Sequence, residues 1–237
     1  IDSAEQLVQL LQESVRSGRE FILIHADPNE VPIENENPDW SDLHSTIYDH
    51  FHYGKNGGLY TEAGYSVSSG PSIWYTLDGE DGRNYYSVVF RYNTDTDERA
   101  LCDAKLRDIL ADVSGASDAA KLRYFYQWMK ANLPEEKLSD TGYPRNCNGL
   151  YGALFGDGTG YVCATYCQTI QRFAELAGIE AWILSGAYLL DEPCHAINVV
   201  KLDGLWYMID YTTDSFLTPL KDSGMYQTAL HYMAGYP

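Results

Sequence analysis

Two cysteines lie four residues apart where a glycine-rich loop runs into a helix-like apolar pattern, in "GDGTGYVCATYCQTI". Cys163 falls in the first turn of the predicted helix, and Cys167 falls one turn further in. The unpaired N–H groups and the dipole of a helix N-terminus stabilise a thiolate, the nucleophilic form of cysteine. We therefore predict that Cys163 is a nucleophile. Cys167 lies at the edge of the apolar stripe and is expected to be a small buried side chain.

Other uses of the cysteines remain open but fit the spacing less well. A redox pair is usually spaced Cys-x-x-Cys, whereas this pair is Cys-x-x-x-Cys. A zinc site needs a further cysteine or histidine pair, and Cys194 and His195 could supply one, so a site of Cys163, Cys167, Cys194 and His195 is conceivable. Cys147 or Cys194 could form a disulfide with another cysteine. The chain has five cysteines, so at least one thiol has no partner within it.

A nucleophilic thiol needs a base and a group that orients the base. Asp203-Gly204 is a strong signal for a two-residue type I′ turn between "HAINVVKL" and "LWYMIDY". In the resulting hairpin, His195 and Asp210 are diagonal neighbours on one face, with Cβ atoms about 7–8 Å apart. An imidazole can reach a carboxylate across that distance. We therefore predict His195 as the base and Asp210 as its partner; a structural histidine and a solvated strand-end carboxylate are the alternatives.

The elements around these residues indicate an α+β fold, since helices are followed by strands in antiparallel order. Apolar periodicity predicts helices over 3–15, 102–113, 117–133 and 161–177 and strands over 21–25, 72–77, 84–92, 181–188, 195–202 and 205–211. Ser117 is the expected cap of the third helix, 21–25 is expected to be a short buried strand, and 72–77 and 84–92 are expected to form a hairpin around "DGEDGR". Residues 148–156, "NGLYGALFG", are predicted to form a short helical turn at most. Strands give way to helices near residues 95–98, which sets a boundary between an N-terminal α/β extension (1–96) and a core (97–237).

The core resembles the transglutaminase-like superfamily of papain-fold cysteine enzymes, in its bacterial exported form. The segments that carry the resemblance are "GYVCATYCQTIQRFAELAGIEAWILSG" and "CHAINVVKLDGLWYMIDYTTD". They follow the family order of a helix start at the Cys, a strand, a His-Ala-x-Asn strand and a strand that ends in the Asp, although the family's Gly-x-Cys is Gly-x-x-Cys here. The resemblance implies a papain/transglutaminase-like catalytic core over 97–237, in which the helix bearing the nucleophile packs on an antiparallel sheet.

The resemblance also implies a catalytic triad of Cys163, His195 and Asp210. The expected reaction is acyl transfer at an amide or peptide bond of a protein or peptide substrate, through a thioester. Ile197 and Thr213 stand where the family usually has cleft aromatics, and a more open cleft favours hydrolysis by water. A cross-linking transglutaminase and a non-catalytic surface interaction module are the alternatives. Candidates for the second oxyanion donor are Tyr143, Asn146 and Asn148.

Composition excludes several classes of protein. The formal charge of −18 repels phosphate backbones and anionic lipid, so we expect no nucleic-acid partner. No apolar run approaches the roughly 18 residues that a membrane span needs. Many tyrosines and few lysines are typical of an exported protein, so an extracellular or cell-surface location is expected. No cofactor or metal is expected; His44, His50 and His52 are interpreted as an aromatic polar loop.

Overall fold

A computed structural model describes the chain at residues 6, 9–11, 13, 14, 17–26, 72–76, 84–90, 92, 94, 96–133, 149–156, 161–186 and 195–223. The described residues between 6 and 14 are helical, as the spacing of the leucines there predicts. No helix in these ranges is long and apolar enough to cross a bilayer. The boundary between residues 96 and 97 stays a prediction.

Three strands form an antiparallel sheet in the N-terminal region: β1 (Phe21–Ala26), β2 (Ser72–Thr76) and β3 (Asn84–Val89), in the order β1-β3-β2. The predicted hairpin of β2 and β3 is confirmed. The prediction that β1 is a buried strand is confirmed for one of its faces and wrong for the other. Ile22 and Ile24 point into the core, while Phe21 and Leu23 are 57% and 54% exposed. Successive strand residues point to opposite faces, so β1 covers the core with one face only.

Among the described residues, four helices follow: α1 (Thr96–Ala111), α2 (Asp118–Asn132), α3 (Leu150–Phe155) and α4 (Cys163–Leu176). Ser117 caps α2 as predicted, because its hydroxyl accepts from the N–H of Ala120 at 3.4 Å. The apolar stripe of α4 packs inward, where Phe173 stacks on Phe125 of α2 at 4.0 Å between ring centroids. A two-pronged ion pair between Arg172 and Asp103 joins α4 to α1.

A second antiparallel sheet is formed by β4 (Ala181–Gly186), β5 (His195–Leu202), β6 (Leu205–Asp210) and β7 (Ser215–Pro219), in chain order. A 3-10 turn, Leu220–Asp222, follows β7. The predicted type I′ hairpin is confirmed, since Asp203 and Gly204 have φ of 50° and 81° and Leu202 pairs with Leu205. Strand β7 was not predicted from the sequence.

Helix α4 lies on β4 and β5 of this second sheet. Val200 and Ile209 face the helices and belong to their core, whereas Ile197, Val199 and Met208 form a separate cluster with Trp182, Leu184 and Leu220. The two sets alternate along the strands, as side chains on opposite faces of a sheet must. The described chain is therefore a mixed α+β structure with a helix packed on an antiparallel sheet, as predicted.

Candidate active site

Cys163 is the first residue of α4, and its side chain is partly exposed. The helix N-terminus is stabilised by hydrogen bonds within its own first turn. The Thr165 hydroxyl accepts from the Val162 N–H at 3.1 Å. In return the Thr165 N–H donates to the Val162 carbonyl at 2.9 Å. The first turn is thereby held in helical form, with the Cys163 side chain at its positive end. This is the location that the sequence analysis predicted for the nucleophile.

The chain just before α4 is anchored to α3. Tyr161 is buried, and its hydroxyl donates to the carbonyl of Gly152. A Cβ at Gly156 would lie 2.3 Å from that carbonyl oxygen and 2.6 Å from the Tyr161 hydroxyl. Gly156 is thus needed to let α3 and Tyr161 meet. The other two glycines of this loop, Gly158 and Gly160, lie outside the described residues.

His195 and Asp210 form a buried pair at one end of the β5–β6 hairpin. The His195 Nε2 lies 3.0 Å from the Asp210 Oδ2, and the two residues are 8% and 1% exposed. The predicted diagonal contact is therefore present. Because Nε2 is occupied by the carboxylate, Nδ1 is the ring nitrogen left to exchange a proton with another group.

The second oxygen of Asp210 is held by the turn that follows β6. Its Oδ1 accepts from the backbone N–H groups of Thr212 and Thr213, at 3.1 and 3.4 Å. The carboxylate thus receives hydrogen bonds at both oxygens. Its orientation, and with it the orientation of the imidazole, depends on the conformation of this turn.

Two contacts bring the start of α4 to the start of β5. Cys163 packs against a small cluster that contains Cys167 and Ala196, and Ala196 directly follows His195. The buried amide of Asn198 donates from Nδ2 to the carbonyl of Cys167 at 3.0 Å. This bond, which the sequence analysis did not predict, fixes the register of α4 on β5. The structure therefore places Cys163 and the His195–Asp210 pair at the same end of the sheet.

The other described cysteines are unsuited to nucleophilic chemistry. Cys167 is buried, as predicted; burial, with the neighbouring Cys163 and the Asp210 charge, raises the pKa of its thiol well above the usual range. Burial, followed by the nearby Asp103 charge, raises the pKa of Cys102 to about 12. Both thiols stay protonated at neutral pH, because desolvation disfavours their charged form.

Several predicted features fall outside the described residues: Cys147, Cys194, the oxyanion candidates Tyr143, Asn146 and Asn148, and the histidines at positions 44, 50 and 52. Within the described ranges, no group of three or more His, Cys, Asp or Glu side chains could hold a metal ion. The zinc alternative has His195 as a ligand, but Nε2 of this residue already meets Asp210. Only Nδ1 would remain for a metal.

The two positions that depart from the family pattern differ in the structure. Ile197 is fully buried in the cluster on the sheet face away from the helices, so it does not shape a cleft. The expectation that Ile197 opens the cleft is therefore wrong, because its side chain is packed inside this cluster. Thr213 is exposed beside Asp210 and bonds through its hydroxyl to Ser215 at 3.3 Å.

The solved structures that are similar to the chain include the following two. One, a crystal structure of a TGase (transglutaminase), is 15% identical with a TM-score of 0.41, and the match covers 86% of this chain and 54% of that one. The other, a protein provisionally assigned as a cysteine protease from Cytophaga hutchinsonii, is 16% identical with a TM-score of 0.35, covering 64% of this chain and 66% of that one. No protein-family model and no curated protein matches. Similarity at this level does not support a function. The functional proposal is therefore based on the residues themselves.

Proposed function

We propose that the chain is a cysteine-dependent acyl-transfer enzyme of the transglutaminase-like superfamily that acts on amide or peptide bonds. Cys163 is the nucleophile, His195 the base and Asp210 the residue that orients the base. The observation that carries the proposal is the buried hydrogen bond between His195 Nε2 and Asp210 Oδ2 at 3.0 Å. A buried carboxylate on one imidazole nitrogen leaves the other nitrogen to serve a nucleophile, and Cys163 begins a helix at that end of the sheet.

In the first step the Cys163 thiol gives its proton to His195 Nδ1, and the sulfur attacks the carbonyl carbon of the substrate. The π electrons of that carbonyl move to its oxygen, and the backbone N–H of Cys163 is a natural donor to the resulting oxyanion. When the oxyanion collapses, the carbon–nitrogen bond breaks. The imidazolium then returns its proton to the leaving amine, and a thioester on Cys163 remains.

In the second step a water molecule or an amine attacks the thioester. His195 takes a proton from the attacking group, the carbon–sulfur bond breaks, and the imidazolium gives its proton to the leaving sulfur, which regenerates the Cys163 thiol. Asp210 remains ionised throughout and stabilises the imidazolium that forms in each step. Water yields a carboxylic acid, which is hydrolysis, whereas a primary amine yields a new amide, which is cross-linking.

Hydrolysis is the preferred outcome. The reason is Thr213, an exposed small residue beside Asp210, where the family usually has an aromatic side chain. A threonine leaves the approach to the imidazole open to water. Since Ile197 is buried elsewhere, the preference rests on Thr213 alone. A protein or peptide substrate met outside the cell or on its surface completes the proposal, and residues 97–237 are its proposed catalytic unit.

The test supplies a glutamine-containing peptide and a fluorescent primary amine, and follows ammonia release and amine incorporation together. A proteome-derived peptide library reports cleavage of peptide bonds. We expect turnover to water in the wild type, none in Cys163→Ala, and turnover close to wild type in the matched variant Cys167→Ala. Incorporation that outpaces hydrolysis would favour the cross-linking alternative. Activity that survives in Cys163→Ala would contradict the proposal, and no turnover in any assay would favour a non-catalytic interaction module.

A further inference from the structure

The turn that holds Asp210 is itself held by a helix far away in the sequence. Residues 211–214 form this turn, which the Asp214 N–H closes by donating to the Tyr211 carbonyl at 3.3 Å. Asp214 adopts a φ of 57°, in the left-handed region. That conformation is unfavourable for a residue with a Cβ unless its surroundings hold it, although aspartate tolerates it better than most.

The surroundings that hold Asp214 come from α2. Its Oδ1 accepts from the hydroxyl of Tyr126 at 2.8 Å and lies 2.9 Å from the ammonium of Lys130. The ion pair is exposed, with Asp214 at 72% and Lys130 at 40%, and exposed pairs contribute little by themselves. Tyr126 differs, because its ring is buried and its position is determined by packing. The Tyr126 hydroxyl is therefore the rigid part of the anchor.

The other end of the same turn is held by aromatic contacts. Tyr211 stacks on Tyr166 of α4, with ring centroids 4.4 Å apart, and meets the Tyr126 ring edge-on at 5.4 Å. Lys130 lies 4.4 Å from the centre of the Tyr211 ring. Both ends of the turn thus meet α2, and one end also meets α4. Helix α4 carries Cys163 one turn before Tyr166.

We infer that Tyr126 and Asp214 are positioning residues that hold Asp210 toward His195 by fixing the turn over 211–214. The inference rests on the proposed function, since it assigns these residues an effect on the reactivity of Cys163. The chain of contacts runs from Tyr126 to Asp214, through the backbone N–H groups of Thr212 and Thr213 to Asp210 Oδ1, and from Asp210 Oδ2 to the imidazole. Neither Tyr126 nor Asp214 touches the reacting atoms.

A purely structural role for the same contacts would affect folding alone. The two roles separate in the pH profile of Cys163 alkylation by iodoacetamide, which reports the thiolate and needs no substrate. A well-oriented imidazolium attracts the thiolate, so that alkylation begins at a lower pH than for an ordinary thiol of pKa about 8.5. If the turn is loosened, the acidic midpoint of the profile moves to higher pH.

Three variants test the positioning role of Tyr126 and Asp214. Tyr126→Phe removes the hydroxyl but keeps the ring against Tyr211 and Phe216, so we expect it to fold. Asp214→Gly removes the carboxylate while the glycine accepts the positive φ without strain. We expect both to move the midpoint up by about 0.5–1 pH unit, a roughly 3–10-fold slower alkylation below the midpoint. Asp214→Asn keeps an oxygen that can accept from Tyr126 and should stay close to wild type.

Asp203→Gly is the matched control, since Asp203 also has a positive φ, of 50°, at the other end of the same hairpin. Its profile should coincide with that of the wild type. Midpoints in Tyr126→Phe and Asp214→Gly that equal the wild-type value would overturn the inference and leave the proposed function intact, even if melting temperatures fall. A wild-type profile typical of an ordinary thiol would instead overturn the proposed function, and the inference with it.

Discussion

Both ends of the β5–β6 hairpin carry an aspartate, yet the two ends are built differently. At the closed end, Asp203 is exposed, and a Cβ added at Gly204 would meet nothing within 4 Å in the described part of the chain, its own neighbours aside. At the open end, Asp210 is buried, bonded to His195, and followed by a turn that Tyr126 anchors from 88 residues away. A local turn needs only the right dipeptide, whereas a buried polar pair needs partners brought in by the tertiary structure.

The largest expected effect comes from changing the carboxylate at the open end. Asp210→Asn should lower turnover roughly 10³–10⁴-fold, because an amide cannot stabilise the imidazolium. Its NH₂ group, if it donates to Nε2, also favours the tautomer in which Nδ1 carries the proton and cannot accept one from the thiol. The measurement is steady-state hydrolysis of a peptide substrate, with a melting curve to show that the variant folds.

The same substitution at the closed end is the control. Asparagine tolerates a positive φ about as well as aspartate, so Asp203→Asn should keep both turnover and melting temperature near the wild-type values. A similar loss of turnover in the two variants would mean that the hairpin ends do not differ in function. The assignment of Asp210 would then have to be abandoned.

The next largest effect is expected at two glycines, which are needed for different reasons. Gly156→Ala should lower the free energy of unfolding by about 1–3 kcal/mol, because the added methyl meets the Gly152 carbonyl at 2.3 Å and the core must shift. Gly204→Ala should lower it by only about 1 kcal/mol, since the strain at a φ of 81° is local. Urea unfolding measures both losses.

The rate of Cys163 alkylation is a second measurement that distinguishes the two glycines. Gly156→Ala should slow it, because Tyr161 leads directly into α4 and would be displaced. Gly204→Ala should leave it unchanged. Slowing in both variants, or in neither, would show that the anchoring of Tyr161 does not influence the start of α4.

The smallest effect concerns Tyr211 at the open end. Burial, followed by the neighbouring Asp214 charge, raises the pKa of Tyr211 from 10.0 to about 12. A raised pKa in the folded state gives stability that is present below the unfolded value and lost as pH rises through the folded one. Tyr211→Phe should therefore weaken the fall in stability between pH 10.0 and about 12, as measured by urea unfolding across that range. An equally steep fall in the variant would contradict this account.

Much of the fold could be predicted because its patterns are local. The stripe of α4, the Ser117 cap and the Asp203-Gly204 turn each depend on residues close together in the chain. Strand β7 (Ser215–Pro219) could not be found in this way. It is short, ends in proline, and contains Leu217 at a φ of 51°, beside an irregularity in its pairing with β6. Such a strand exists because β6 offers it hydrogen-bonding partners.

The same distinction between local patterns and tertiary contacts applies to the candidate site. The residue types and spacing of Cys163, His195 and Asp210 are properties of the sequence, since a helix start and a two-residue turn determine where each lies along its element. The partners that hold these elements together were not predictable. Asn198 meets the carbonyl of Cys167, and Tyr126 meets Asp214.

The amino-acid sequence was sufficient to predict that a cysteine begins a helix and that a histidine and an aspartate meet across a hairpin. The contacts of Asn198 and Tyr126 that hold these elements, and the burial of Ile197 in a core rather than a cleft, could be learned only from the packing of the elements. The cause is the separation along the sequence of the residues that interact. Helix starts and tight turns depend on backbone geometry over a few residues, whereas side-chain contacts between elements depend on how whole faces pack, which no local pattern specifies.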